Sequence, residues 1–250
     1  VLSRALRVAA SNVRPKCVEA ILDSGKRGLN ETEALLHASR SSSSRSTFAL
    51  DDDRLAVVAR LLKAKASPTM ESLHSMADHA YVGPLKLLLD TSPPRPWVIG
   101  IVGGVASKGH TDVLRLLLAT NVNIAAPVHS ATTRASSRGH IDTVAYLIEA
   151  KADINENNGK PVRLAAQEGQ QDTVQVLLEA KADVNNSPNL FHGCTRWTDI
   201  MRLLLAAKAN PNNDDGVGLH KSVKENRLAS ARALLEAKAD VNIKNKGETA

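Results

Sequence analysis

From Gly139 the chain reads GHIDTVAYLIEAKADIN, and from Gly169 it reads GQQDTVQVLLEAKADVN. In the second phrase Val174, Leu177 and Leu178 fall at i, i+3 and i+4, one apolar stripe on a helix. Val144, Leu147 and Ile148 repeat the stripe one phrase earlier, and Val113, Leu116 and Leu117 one before that. Asp112, Asp142, Asp172 and Asp199 sit in the first turn of that helix, where a carboxylate favours the positive end of the dipole. A shorter helical segment precedes each stripe. Pro161 to Glu168 is an example, carrying Leu164, Ala165 and Ala166, with Pro161 at a first helical position that tolerates its missing N–H. Polar connectors such as Asp183-Val184-Asn185-Asn186-Ser187-Pro188 follow, rich in residues that accept left-handed or fixed φ. Each unit therefore reads as helix, tight turn, helix, connector.

Self-similarity at a fixed offset marks an internal repeat, so the fold is read from the period before any motif is weighed. Positions equivalent to Gly169 fall at Val13, Asp53, Ala80, Gly109, Gly139, Arg196 and Asn226. The pattern predicts about eight units in a single array over 1–250. The fold class expected is all-α, or mainly α, a helix-turn-helix repeat solenoid with short turn or hairpin connectors. Two places break the rhythm. Ser41-Ser42-Ser43-Ser44-Arg45-Ser46 belongs to an insertion near 39–50, expected as a surface loop between the helices of the second unit. Thr91 to Trp97, with its prolines, distorts a connector. The chain opens with Val1 inside a recognisable element, and Gly247-Glu248-Thr249-Ala250 reads as the start of another unit. It is therefore expected to be an excerpt of a longer polypeptide, cut at both ends.

These residues resemble the ankyrin repeat. Leu36-His37, Leu73-His74 and Leu219-His220 match the L-H step of its first helix. Gly109-His110 and Gly139-His140 match its G-H turn, and Ala182-Asp183-Val184-Asn185 and Ala239-Asp240-Val241-Asn242 match its A-D-V-N ending. The resemblance spans essentially the whole chain and implies paired antiparallel helices stacked into an array with projecting connectors. Departures are informative. The spacing is mostly shorter than the family's 33 or so residues, with the loss in the connector, so turns are expected in place of full hairpins. The Thr-Pro step is nearly absent, and a lost helix cap costs about 1 kcal/mol. The glycine ending the second helix survives at Gly25, but Lys65, Lys151, Lys181, Lys208 and Lys238 replace it elsewhere, and Asn121 once. A non-glycine residue in the left-handed region costs roughly 1 kcal/mol, of which a cation at a helix C-terminus returns about 0.3–1. The unit from Asn185 to Asn212, with Arg196-Trp197 where Gly-His would stand, is expected to be the least regular.

Composition narrows the chemistry. Aromatics are 2% of residues, which suits small aliphatic packing between thin helices better than a deep ligand pocket. Two cysteines, Cys17 and Cys194, stand far apart, so neither a disulfide scaffold nor a zinc site is expected, and a reducing intracellular compartment, cytoplasmic or nuclear, is the default. No apolar run is long enough to suggest a membrane span. Of the eight histidines, His110 and His140 share one repeat phase, and His37, His74 and His220 another, so hydrogen bonding to backbone explains them better than metal binding. Gly103-Gly104 lacks the GK[ST] step and preceding strand of a phosphate loop. No metal, cofactor or catalytic constellation is expected, and the chain does not read as an enzyme. The net charge of +6 and pI near 9.4 raise nucleic acid or an acidic surface as partners. The basic residues read as spread along the chain without interleaved aromatics, which disfavours nucleic acid and favours another protein, acidic in character.

The leading reading is a non-catalytic, monomeric protein-interaction scaffold. What the family resemblance implies is that the two positions before each turn face a concave groove: Asp78 and His79, Ser107 and Lys108, Ser137 and Arg138, Gln167 and Glu168, Lys224 and Glu225. Connector tips Asn157, Asn158, Lys160, Asn213, Asp214 and Asp215 would form its rim. The alternatives are a targeting or regulatory arm of an enzyme whose catalytic domain lies elsewhere, and electrostatic binding to nucleic acid.

Overall fold

The computed structural model describes residues 2–25, 29–40, 47–91, 95–119 and 125–243, with the backbone alone at 47–50, 95 and 125–129. Among the described residues lie sixteen helices and no strand, an all-α repeat solenoid as the periodicity predicts. The first eight are α1 (Leu2–Ser11), α2 (Pro15–Asp23), α3 (Glu31–Ser39), α4 (Thr47–Lys63), α5 (Met70–Asp78), α6 (Val82–Asp90), α7 (Arg95–Lys108) and α8 (Thr111–Leu118). The others are α9 (Ala125–Arg138), α10 (Ile141–Glu149), α11 (Glu156–Gln167), α12 (Gln171–Glu179), α13 (Leu190–Cys194), α14 (Thr198–Ala206), α15 (Asn213–Lys224) and α16 (Leu228–Glu236). The chain divides into two compact units, Val1–Val105 with Asp112–Ile124 and Ala106–Thr111 with Ala125–Ala250. In the first unit α1, α3 and α5 pack side by side, and α2, α4 and α6 do the same. In the second, α9, α11, α13 and α15 form one layer, and α10, α12, α14 and α16 the other. Each thin core is closed by the neighbouring pair, so Val144, Leu147, Val174 and Leu177 are fully buried at about 1.5–3 kcal/mol apiece.

The second helix of a repeat ends on a left-handed lysine. Lys65, Lys151, Lys181, Lys208 and Lys238 have φ of 67°, 63°, 66°, 66° and 65°. The Lys181 N–H donates to Leu178 O at 2.9 Å and the next N–H, of Ala182, to Leu177 O at 2.9 Å, the paired bonds of a Schellman cap. The other four lysines make the same two bonds, and the alanines that follow Lys65, Lys181, Lys208 and Lys238 are buried. Five helices therefore tolerate the left-handed strain because the cap satisfies otherwise orphaned carbonyls. Asn121 lies outside the described residues. The acidic first turns are present as predicted at Asp112, Asp142, Asp172 and Asp199.

The tight turn between the two helices is also left-handed at Val13, Ala80, Gly109, Gly139, Gly169 and Asn226. At the three glycines a second constraint acts, because the following repeat lays a side chain over the turn. A Cβ on Gly109 would come within 2.6 Å of His140, one on Gly139 within 2.2 Å of Gln170, and one on Gly169 within 2.6 Å of Trp197. His140 Nε2 donates to Ser107 O at 2.9 Å and Trp197 Nε1 to Gln167 O at 3.2 Å. His140 thus has the backbone-buttressing role expected of it, and Trp197 takes that role one repeat later where histidine is missing.

Two expected turn positions are not turns. Asp53 lies inside α4, which at 17 residues is about twice the usual second helix and runs back to Thr47. The insertion therefore lengthens a helix over 47–50 in place of the loop expected there; Ser41–Ser46 lie outside the described residues. Arg54 holds this junction: its buried guanidinium donates to the carbonyls of Ala38 and Arg40 and lies 4.0 Å from the centre of the Tyr81 ring. Burial pushes its pKa down, with Tyr81 and Asp51 acting against that shift. Arg196 is not left-handed either, because α13 is only five residues long and closes through Trp197 N–H to Cys194 O at 2.8 Å. Thr91 to Trp97 is partly helical, since α7 begins at Arg95.

Connectors are tied to one another by asparagine. The side-chain carbonyl of Asn155 accepts from Asp183 N–H at 2.7 Å, that of Asn185 from Asn210 N–H at 2.8 Å, and that of Asn212 from Asp240 N–H at 2.8 Å. Within each connector Asp153, Asp183, Asn210 and Asp240 cap the N–H two residues on, an Asx turn. The tips then carry three successive left-handed residues, Asn157-Asn158-Gly159 and Asp214-Asp215-Gly216, so helices α11 and α15 proper begin after them.

A third contact crosses repeats inside the second helices. Thr111 Oγ1 bonds Thr143 Oγ1 at 2.8 Å, and Thr198 Oγ1 bonds Ser230 Oγ at 3.0 Å. The position between them is defective: Thr173 is buried without a hydrogen-bond partner, because Ile141 stands where its hydroxyl partner would be. Thr173→Val is expected to raise the unfolding free energy by about 1 kcal/mol in urea, whereas Thr143→Val should lower it by a similar amount. A second pair of variants separates backbone strain from packing. Gly25 has φ +64° and open space around its would-be Cβ, while Gly169 has φ +79° and Trp197 against it. Gly25→Ala should cost about 1 kcal/mol and Gly169→Ala about 2–4 kcal/mol; equal losses in the same titration would rule out the Trp197 contact as a constraint.

Candidate partner-binding face

The residues ending the first helices do not form one class. In the first unit, Asp78 lies 3.5 Å from His74 Nδ1. His79 Nδ1 hydrogen-bonds Ser75 O at 2.7 Å, and its ring stacks on Tyr81 at 5.5 Å. Both are bound into their own helix end. In the second unit Ser107 gives its carbonyl to His140, with exposed Lys108 beside it. Gln167 gives its carbonyl to Trp197, and its side chain lies across Gly193, where a Cβ would stand 1.9 Å from Gln167 Cγ. Glu225 is held by Thr195 Oγ1 at 3.1 Å, Lys221 Nζ at 3.7 Å and Arg227 Nε at 3.8 Å, whereas Lys224 is exposed and its side chain bonds to no described residue.

Between these lies a cleft of about 470 Å³ lined by Ser137, Arg138, Leu164, Glu168 and Gln170. Helix α9 delivers Ser137 and Arg138, and α11 delivers Leu164, with Glu168 as its C-cap. Arg138 and Glu168 are exposed, opposite in charge and on adjacent repeats, yet they form no ion pair with each other. Half-buried Leu164 supplies an apolar surface between them. The cleft thus unites the expected residues Ser137, Arg138 and Glu168, and adds Leu164 and Gln170.

At the rim, Asn157 and Asn158 are exposed with φ of 46° and 58°, and Lys160 follows half-buried. In the matching tip Asn213 Nδ2 donates to Asn185 O at 3.4 Å, and Asp214 accepts the N–H of Asn189, so these residues brace the connector; Asp215 is exposed beside them.

Residues 104–188 match the family model for ankyrin repeats in three copies. This stretch of the chain carries ankyrin repeats. A search of the curated proteins returned no match. Ankyrin repeats are generally protein–protein interaction modules and typically non-catalytic. The matched stretch contains the whole cleft, its Arg138–Glu168 flanks and the Asn157-Asn158 tip.

Within the matched stretch, helix α9 differs in charge from α10 and α12, a contrast the sequence alone did not reveal. Helix α9 carries Arg134 and Arg138 and no acidic residue, while α10 and α12 carry only acids, Asp142, Glu149, Asp172 and Glu179. Arg134 is one helical turn from Arg138, exposed, and was missed because its position was not among the two before each turn.

Among the described residues no cluster of three His, Cys, Asp or Glu side chains could hold a metal ion, and no helix is long and apolar enough to cross a membrane. Cys194 is buried, its thiol pushed up to about 12 by desolvation and turned to the carbonyls of Leu190 and Phe191. The reactive form of a cysteine is the thiolate, so at neutral pH this residue is inert. Cys17 is exposed. Titration of the native protein with an aromatic disulfide reagent should therefore release one equivalent promptly, and the second only with denaturant. Rapid release of both would show that the α13 segment opens.

Proposed function

We propose that this chain, with its ankyrin repeats, is a non-catalytic interaction module whose partner protein docks on the first-helix face of the second unit, centred on Ser137, Arg138, Leu164 and Glu168, with Gln167 buttressing the neighbouring repeat. The observation that carries the reading is the 470 Å³ cleft, in which an arginine and a glutamate on adjacent repeats flank a half-buried leucine without neutralising each other. Charged groups left unpaired beside apolar surface are available to a partner at no cost in broken internal bonds. Asn157, Asn158 and Lys160 extend the contact at the rim. Lys108 and Lys224 flank it, while Asp78, His79 and Glu225 serve mainly to hold their own helix ends. The two cysteines, one of them buried and neither in a disulfide, support a reducing compartment, cytoplasm or nucleus.

The test is affinity for a partner isolated with the native protein. The Lys108→Ala, Arg138→Ala, Glu168→Ala triple variant should bind it at least about tenfold more weakly by calorimetry, with an unchanged helical spectrum. Unchanged affinity would move the docking surface off this face.

A further inference from the structure

The charge sorting specifies the chemistry of the partner. Arg134 and Arg138 stand at i and i+4 on α9, both exposed, and neither guanidinium bonds to a described residue. Two such groups one turn apart can grip a single carboxylate from both sides or two successive ones. The neighbouring helix places Leu164 beside Arg134 and Glu168 beside Arg138 in the repeat register. Lys160 is one further turn back along the same face, also without an ion pair to a described residue. The second helices of the same repeats, α10 and α12, carry Asp142, Glu149, Asp172 and Glu179 and no basic residue before their cap lysines. An anionic segment is thus favoured along the exposed arginines of α9 over the carboxylates of α10 and α12. A nucleic-acid strand fits less well: the exposed carboxylate of Glu168 interrupts the basic track, and no exposed aromatic side chain lies along α9 or α11 for bases to stack on.

We propose that the face made by the C-terminal halves of α9 and α11 takes an acidic segment of a partner protein, its carboxylates held by Arg134 and Arg138 and an adjacent apolar side chain seated on Leu164. This deepens the docking reading above and rests on it. Glu168 sets the register, since it keeps acidic groups on the α9 side of the cleft.

The probe is a fluorescein-labelled peptide of four Glu-Glu-Leu triplets, followed by anisotropy at low salt. Its Lys-Lys-Leu counterpart and single-stranded oligo-dT serve as the comparison ligands. The native chain should bind the acidic peptide and prefer it to both. The Arg134→Ala, Arg138→Ala variant should lose about tenfold or more in affinity. Lys208→Ala, Lys238→Ala removes the same charge from left-handed caps elsewhere in the unit and should change binding less than about twofold. Replacing each peptide leucine by serine should weaken binding to the native chain but not to Leu164→Ser. Three results would overturn the proposal: no binding of the acidic peptide, equal loss in the two charge variants, or tighter binding of oligo-dT through the same arginines. If the triple alanine variant loses its natural partner while the peptides are not distinguished by charge, docking on this face stands and its acidic specificity falls.

Discussion

Three helix pairs in this chain close through left-handed glycine turns, at Gly109, Gly139 and Gly169, that the following repeat covers, and the packing around them depends on that covering. A left-handed residue strains the backbone, and a two-helix unit is too thin to bury its own turn. The second unit answers both problems with one arrangement. His140, Gln170 and Trp197 lie over Gly109, Gly139 and Gly169. Two of them donate back to the backbone of the repeat they cover. On the opposite edge, Asn155, Asn185 and Asn212 fix the next connector through its own N–H. Stability in such an array is a property of the junction between repeats, and the unit by itself accounts for little of it.

That dependence explains what the sequence disclosed. The lysines at the ends of the second helices were identifiable because each stands at the same point of the repeat, in the same left-handed backbone cap. Helix order and the stripe of Val144, Leu147, Val174 and Leu177 were legible for the same reason: each repeat buries the same surface. Asp53 and Arg196 were misplaced where a repeat departs from the period. In one, inserted residues extend α4 through the expected turn and Arg54 caps the carbonyls that the turn would have satisfied. In the other, α13 is too short to reach the usual closure. Spacing finds a turn only when both flanking helices keep their usual length.

The candidate face was legible in part, and the reason lies in why residues vary between repeats. A position that changes while its flanks stay constant reads in the sequence as one that faces a partner. At Arg138 and Glu168 that inference meets an open cleft. At Gln167 it meets a different cause, because the side chain fits only where the next repeat has Gly193, so the two positions form a matched pair. Glu225 is similar, held by Thr195 of the preceding repeat as well as by lysine and arginine near it. Variation along a solenoid therefore mixes outward recognition with compensation between neighbours. Only the cross-repeat contacts separate the two.

Charge illustrates the same limit from another side. A net charge of +6 and cations in nearly every repeat gave no hint of direction along the sequence. A local contrast appears once helices are assigned to layers, because α9 contributes arginines to one layer and α10 and α12 contribute carboxylates to the other, while α14 and α16 carry both signs. Among the described residues no bond requires this arrangement: the side chains of Arg134, Arg138 and Glu168 pair with none of them. Exposed charges of this kind add little to stability in water. Their placement therefore bears on which macromolecules can approach each layer, and it is independent of the contacts that hold the repeats together.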